Sequence, residues 1–349
     1  MSGSVNWSRR LCPAWLVLAS MMALLLGAGG CRPMTFAVGV APGDQRLTRT
    51  TVASDGGFGN ARIAIVDVTG LIINAEKPGL LQPGENPVGL LHEKLALAAA
   101  DRRVEAVILR INSPGGTVTA SDAMYREVQR FRQSTGKPVI ALMMDVAASG
   151  GYYVACASDH IMTYPTAVTG SIGVIVQTIS VKPALERWGV QAEAFTSGEN
   201  KAAGSPLGTL TDGQRAMLQT MVDDFYARFA AVVREARPML DDATFERVAD
   251  GRVMTGGNAV AVGLADEVGD LYDAFALGKA MVGVDRADLV LYHRPLDYAG
   301  SPYAASASGG QAGRATGTQV NLMQINLDGL PGFAGAPVGI YYLWRPDVQ

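Results

Sequence analysis

Two hydrophobic rhythms alternate along the middle of this chain. Near-continuous apolar runs, Ile63–Val68, Ala106–Ile111 and Val139–Met144, have the length and β-branched content of strands buried on both faces. Between them apolar residues recur at helical spacing: Leu91, Leu95 and Ala98 mark one face, and Ala120, Met124, Val128 and Phe131 another. Gly136 ends the second of these helices, and Pro138 opens the third strand. A further strand runs from His160 to Tyr164, and a helix from Asp212 to Ala236 is stopped by Pro238. That helix carries Met217, Met221, Phe225, Phe229 and Val232 on one face, which suits core packing or a subunit contact. Strands alternating with helices predict an α/β fold with a parallel sheet covered by helices.

The periodic part opens at residue 61 and closes near 295, so 61–295 is the expected folded domain. Residues 1–30 differ from it in kind: Arg9 and Arg10 precede an uncharged apolar run, Ala14 to Leu26, and small residues then lead into Cys31. That order predicts a secretory signal, the run being short against the roughly 20 apolar residues that span a bilayer. Ala28-Gly29-Gly30-Cys31 also resembles a bacterial lipoprotein box, with Ala28 where leucine is usual, so Cys31 is the expected lipidation site. An uncleaved N-terminal anchor helix is the alternative. Both place the folded domain outside the cytoplasm, at a membrane surface. Residues 31–60 are polar and Gly-rich, as in a tether. Residues 296–320 read as a low-complexity linker, and 321–349 as a tail whose segment Val338–Trp344 is strongly strand-like. That segment is expected to dock on a sheet edge or, as an extended peptide, in a substrate groove.

Composition narrows the chemistry. With 48% hydrophobic residues among 349, the chain can bury a substantial core. Its 29 basic and 32 acidic residues include no basic run, which argues against a nucleic-acid partner. His92, His160 and His293 lie far apart and none has metal-ligand spacing, so no metal and no cofactor are expected. Cys156, the one cysteine of the folded part, reads as a buried small hydrophobe.

The third strand runs directly into Ala147-Ala148-Ser149-Gly150-Gly151-Tyr152-Tyr153, where a helix of small residues begins. A hydroxyl at a strand-to-helix turn, flanked by residues too small to shield it, is placed as a nucleophile would be. Only half of the Gly-x-Ser-x-Gly elbow is present, because Ala147 stands at its first glycine, and small-residue clusters more often mark close helix packing. Asn112-Ser113-Pro114-Gly115-Gly116 follows the carboxyl end of a strand. Its glycines suit a backbone N–H aimed into a cleft, as an oxyanion hole requires, or an ordinary connection. For a base, His160 has the right side chain, but Ser158-Asp159-His160 are contiguous and splay apart, so His160 reads as the start of a strand. Lys201 lies on the glycine-bounded loop Thr196–Pro206, where desolvation would let it shed its proton near neutral pH. A solvated loop lysine is the plainer reading.

Ile111–Gly116, Ala147–Tyr153, Thr169-Gly170-Ser171-Ile172-Gly173-Val174 and Ser197–Pro206 together resemble, in order and spacing, the signal peptide peptidase A family. The similarity continues through Gly251–Gly257 and Gly263–Gly269 and so covers about residues 61 to 290. The resemblance implies a Clp-protease/crotonase-like fold and a Ser/Lys dyad. Ser149 falls on the nucleophile, Lys201 on the general base, Ser171 on the lysine-orienting serine, and Gly116 and Gly150 on the oxyanion-hole amides. It further implies a membrane-attached serine endopeptidase acting on membrane-associated peptides, signal-peptide remnants and membrane proteins among them. In short members the serine and lysine meet across a subunit boundary, which implies a homo-oligomer with shared active sites. Asn200 and Gly257 depart from the family, which often has tyrosine and a larger residue there, and this bears on substrate preference. Two other readings share the fold. A crotonase-like acyl-transfer enzyme would need neither Ser149 nor Lys201, and its CoA is cytoplasmic; a non-catalytic scaffold would not need the dyad intact.

Overall fold

The computed structural model describes residues 46–57, 61–76, 85–295, 297–304 and 340–343. In chain order the strands are Thr48–Ser54 (β1), Ala61–Thr69 (β2), Val104–Ser113 (β3), Gly115–Thr117 (β4), Val139–Ala148 (β5), His160–Thr163 (β6), Val168–Gly170 (β7), Ile175–Val176 (β8), Val253–Thr255 (β9), Glu267–Val268 (β10), Ala287–His293 (β11) and Ile340–Leu343 (β12). The helices are Pro87–Ala100 (α1), Val118–Thr135 (α2), Gly150–Ala155 (α3), Lys182–Arg187 (α4), Asp212–Ala236 (α5), Asp242–Val248 (α6), Gly256–Ala261 (α7) and Leu271–Val282 (α8). The main sheet runs β1-β11-β2-β3-β5-β6-β10 and is parallel except where β1 meets β11. β7 extends β5 in parallel and pairs antiparallel with β9. A second, small sheet has the order β4-β12-β8.

The apolar runs are continuous because the parallel sheet is covered on both faces. Ala64 and Val66 of β2 pack with Leu91, Met124, Tyr153 and Phe229, from four helices, while Ile63 and Ile65 face the layer holding Leu271 and Phe275 of α8. The expected α/β architecture, a largely parallel sheet covered by helices, is met. Gly136 closes α2 in the left-handed conformation at φ 68°, as its place at the end of the pattern predicts. Thr48–Ser54, expected within the tether, is instead a strand. Its Thr-rich sequence has no apolar stripe because it is an antiparallel edge with most residues in or near water. Helix α5 has the predicted bounds, but only Phe229, Val232 and Val233 of its apolar residues are buried, and Met221 stays exposed. Cys31, the predicted signal and most of the linker lie outside the described residues. Among the described residues no helix is long and apolar enough to cross a membrane.

Charge is buried in this sheet where β2 meets β3. Asp67 of β2 and Arg110 of β3 are cross-strand partners, and Arg110 Nε donates to Asp67 Oδ1 at 2.6 Å. Lys94 of α1, fully buried, donates to Asp67 Oδ2 at 3.4 Å. The other guanidinium nitrogens of Arg110 donate to the carbonyls of Pro302 and Ala304 at 2.7 and 2.6 Å, and so pin the chain after β11 across the sheet. Burial by itself would lift the Asp67 carboxyl, but Lys94 and Arg110 outweigh it and hold the group below the usual carboxylate range. A carboxyl lowered in the fold contributes stability fully above its unfolded value of about 3.9 and loses it as pH falls through the folded value. Asp67→Asn leaves two buried cations without their anion and should cost about 3–5 kcal/mol. Urea unfolding at neutral pH measures this, and the difference from wild type should shrink as pH falls below about 4.

Candidate active site

The turn after β5 is the most constrained backbone of the molecule. Ala148 pairs with Gly170 of β7, and the next residue, Ser149, adopts φ 52° and ψ −116°. A non-glycine residue there stores about 1–3 kcal/mol of strain. Two backbone hydrogen bonds hold it: the Ser149 N–H donates to the Gly170 carbonyl at 2.8 Å, and its own carbonyl accepts the Tyr153 N–H at 2.9 Å. Gly151 lets α3 press onto the end of β3, since a Cβ there would lie 2.7 Å from the Ser113 carbonyl oxygen. Tyr152 and Tyr153, both fully buried, bolt α3 down. The Tyr152 hydroxyl donates to the Leu264 carbonyl and the Tyr153 hydroxyl to Asp122 Oδ1, each at 2.7 Å. Burial would raise the Asp122 carboxyl, but hydrogen bonds from Arg126, Tyr153 and Arg228 hold it below the carboxylate range, so it stays an anionic anchor. Within this frame the Ser149 side chain is buried, and its Oγ has no hydrogen-bond partner.

Three further predicted residues gather at the same edge of the sheet, where the parallel strands end. Ser171 follows Gly170 as Ser149 follows Ala148, and it too has a positive φ, 50°; its N–H donates to the Arg252 carbonyl at 2.7 Å. Gly150 is the buried first residue of α3. Gly116, in β4, bridges Ile72, and a Cβ on it would fall 1.8 Å from the Ile72 carbonyl oxygen, so only glycine fits. The tail strand β12 lies antiparallel between β4 and β8, with Tyr342 opposite Gly116. The strand-like segment is therefore the central strand of the small sheet, paired with β4 on one side and β8 on the other.

Lys201 is placed differently. It is exposed, on a run of turns closed by Lys201 N–H to the Gly198 carbonyl at 3.1 Å and Ala203 N–H to the Asn200 carbonyl at 3.1 Å. Among the described residues no hydrogen bond joins Lys201 to Ser149, whose Oγ has no partner. His160 begins β6 and pairs through Nε2 with Glu267 at 2.9 Å, so it is engaged at the far edge of the sheet. Cys156 is buried, and burial pushes its thiol up to about 12, which leaves it inert as a nucleophile. The residues missed from sequence are the supports, Asp122, Ile72 and the Arg252 carbonyl, which no local motif marks.

Comparisons with known proteins bear on the family of the chain. The model for peptidase family S49 matches residues 131–285, and that for Clp protease matches 86–172. A Synechocystis sp. chain named as a protease is 31% identical over 224 residues, covering 64% of this chain and 76% of its own. The chain belongs to peptidase family S49. Protease 4 of Haemophilus influenzae is 34% identical over 223 residues, covering 63% of this S49 chain and 35% of its own. Serine protease SPPA, chloroplastic, of Arabidopsis thaliana is 35% identical over 242 residues, covering 68% and 35%. The chain thus spans about a third of the length of these two relatives.

The strain at Ser149 can be read directly. Glycine relieves about 1–3 kcal/mol of it and loses about 0.5–1 kcal/mol in unfolded-state entropy. Ser149→Gly should therefore raise the melting temperature by about 2–4 °C, a net gain of about 1 kcal/mol, whereas Ser149→Ala keeps the strain. Calorimetry of the two variants checks this, and a Ser149→Gly protein melting below wild type contradicts it.

Proposed function

We propose that this S49 chain is a serine endopeptidase whose nucleophile is Ser149 and whose general base is Lys201. One observation carries the reading: a buried serine hydroxyl without a partner, held at a strained strand-to-helix turn among glycine-rich strand ends. In the proposed reaction neutral Lys201 takes the Ser149 proton as Oγ attacks a peptide carbonyl carbon. The Gly116 and Gly150 N–H groups stabilise the oxyanion, and Ser171 orients the lysine. Protonated Lys201 then returns the proton to the leaving amine, and a water deprotonated by Lys201 releases the acyl group from Ser149. The gap between β4 and β8 accepts an extended backbone, as β12 does, which suits a peptide substrate.

The lysine in this reading comes from a second copy of the chain. Lys201 is exposed, and the segment around it carries large apolar side chains in water, Trp188 at 77% and Phe195 at 94% exposure, with Ile179, Val181 and Leu207 nearby in sequence. Exposed apolar side chains of this size suit a partner surface. The proposed enzyme is a membrane-attached homo-oligomer with shared sites, lipidated at Cys31 and acting outside the cytoplasm on membrane-associated peptides such as signal-peptide remnants.

Ser149→Ala and Lys201→Ala should each abolish peptidase activity while the fold persists. Mixing the two variants should restore activity at about a quarter of boundaries if assembly is random and each boundary is heterologous. Mixed oligomers as inactive as either parent would end the shared-site reading, and an active Lys201→Ala enzyme would remove the base. Cys31→Ser should block lipidation; an unmodified Cys31 within the mature wild-type chain, by mass spectrometry, would overturn the anchoring.

A further inference from the structure

The loop that carries Lys201 is joined to α5 by one side chain. Gln214 is the third residue of α5 and is buried at 7% exposure, although its neighbours Gly213 and Arg215 are exposed. Its backbone N–H donates to Thr211 Oγ1, and its side-chain Oε1 accepts the Thr211 N–H, both at 3.2 Å; these are the two halves of a capping box. A glutamate would complete that box equally well. Only an amide has a second function to offer, and here it is used: Gln214 Nε2 donates to the Glu199 carbonyl at 2.8 Å. Glu199 lies inside the turn that the Lys201 N–H closes on Gly198, whose carbonyl also accepts the Thr196 hydroxyl at 3.0 Å. At its far end the loop is held by the Val181 N–H donating to the Pro206 carbonyl at 2.8 Å.

We propose that Gln214 is a positioning residue for the general base, its amide fixing the Glu199 peptide so that the Lys201 turn is presented from the N-terminus of α5 in one orientation. This rests on Lys201 being the base. The physical case is one of leverage. Lys201 is exposed and its long side chain has no frame of its own, whereas α5 is a helix of 25 residues fixed to the core of its own chain through Arg228, Asp122 and Tyr153, a rigid support from which the amine is presented to the serine of a second copy. A turn tied to that helix moves with it; a turn released from it samples orientations in which the amine misses the serine. Displacements of about 1 Å at a reacting group cost on the order of 100-fold in rate.

The test uses the full-length oligomer with Gln214→Glu, Gln214→Ala and Lys201→Ala. Gln214→Glu keeps the acceptor of the cap and loses the donor to Glu199, so melting should stay near wild type while kcat falls roughly ten- to a hundredfold and KM changes by no more than about twofold. Amide hydrogen exchange should accelerate at residues 198–203 but not in the first turn of α5. Gln214→Ala should lose the cap as well, speed exchange in both places and lower the melting temperature. Wild-type kcat in Gln214→Glu with a loosened loop would show that the turn's orientation is immaterial, and unchanged loop exchange would show that Gln214 does not hold it; either overturns the proposal. Activity surviving Lys201→Ala would instead remove the base itself, a failure of the dyad that the exchange of the loop distinguishes from a failure of the tether.

Discussion

Everything at the active edge of this molecule depends on one residue being kept in a backbone conformation it resists. Ser149 sits at φ 52° with a buried hydroxyl that has no partner. The conformation costs about 1–3 kcal/mol, and an unsatisfied buried hydroxyl about 1–3 more. Three and four residues further on, the chain buries Tyr152 and Tyr153 completely. Side chains of this size bury about 150–250 Å² each, worth about 4–6 kcal/mol apiece at about 25 cal/mol/Å² as an upper estimate. The local anchors therefore exceed the local cost. Both hydroxyls also find acceptors on other elements, so the helix that follows the turn cannot rotate to relax it without breaking a buried hydrogen bond.

The sheet supplies the other half of the constraint. Register between β5 and β7 sets Gly170 opposite Ala148, and the Gly170 carbonyl then takes the Ser149 N–H, so the turn is clamped from the side as well as from the helix. The Asp67–Arg110–Lys94 group lies in the neighbouring strands β2 and β3, with Lys94 reaching in from α1, and settles which segments may cover them. Because three charges must be satisfied together, the carbonyls of Pro302 and Ala304 have to reach Arg110, and the chain leaving β11 is committed to crossing this face. A charged group in an apolar strand thus acts on the path of a segment almost two hundred residues later.

How much of this could be read from the chain follows from where each signal lives. β2, β3 and β5 were legible because a doubly covered parallel sheet writes unbroken apolar runs, and α2 because its stripe ends on a glycine that the cap needs. β1 was hidden: an edge strand of threonines has nothing to alternate. Asp67 and Arg110 were visible as charges inside apolar runs, but their partnership is a matter of register, which periodicity does not encode. At the site, Ser149, Gly150, Gly116 and Ser171 stood in recognisable motifs, and the fold does bring them to one edge. Their supports were not legible. Ile72, which makes glycine obligatory at position 116, lies in a short bridge after β2, and Asp122 looks like any solvated helix acid until Tyr153 and Arg228 converge on it.

The two proposed catalytic groups belong to different mechanical regimes, and this has a consequence for assembly. The serine is part of the core: to move it, a strand, a helix and two buried tyrosines must move too. The lysine is carried on turns whose neighbours, Trp188 and Phe195, stand in water. Each such side chain is worth about 1.5–3 kcal/mol once covered, and a partner surface that buries the arm supplies that cover. On the shared-site reading, the apolar cover and the useful base thus arrive with the same partner. On that reading a single unassembled chain would carry a strained, buried serine with no group to activate it.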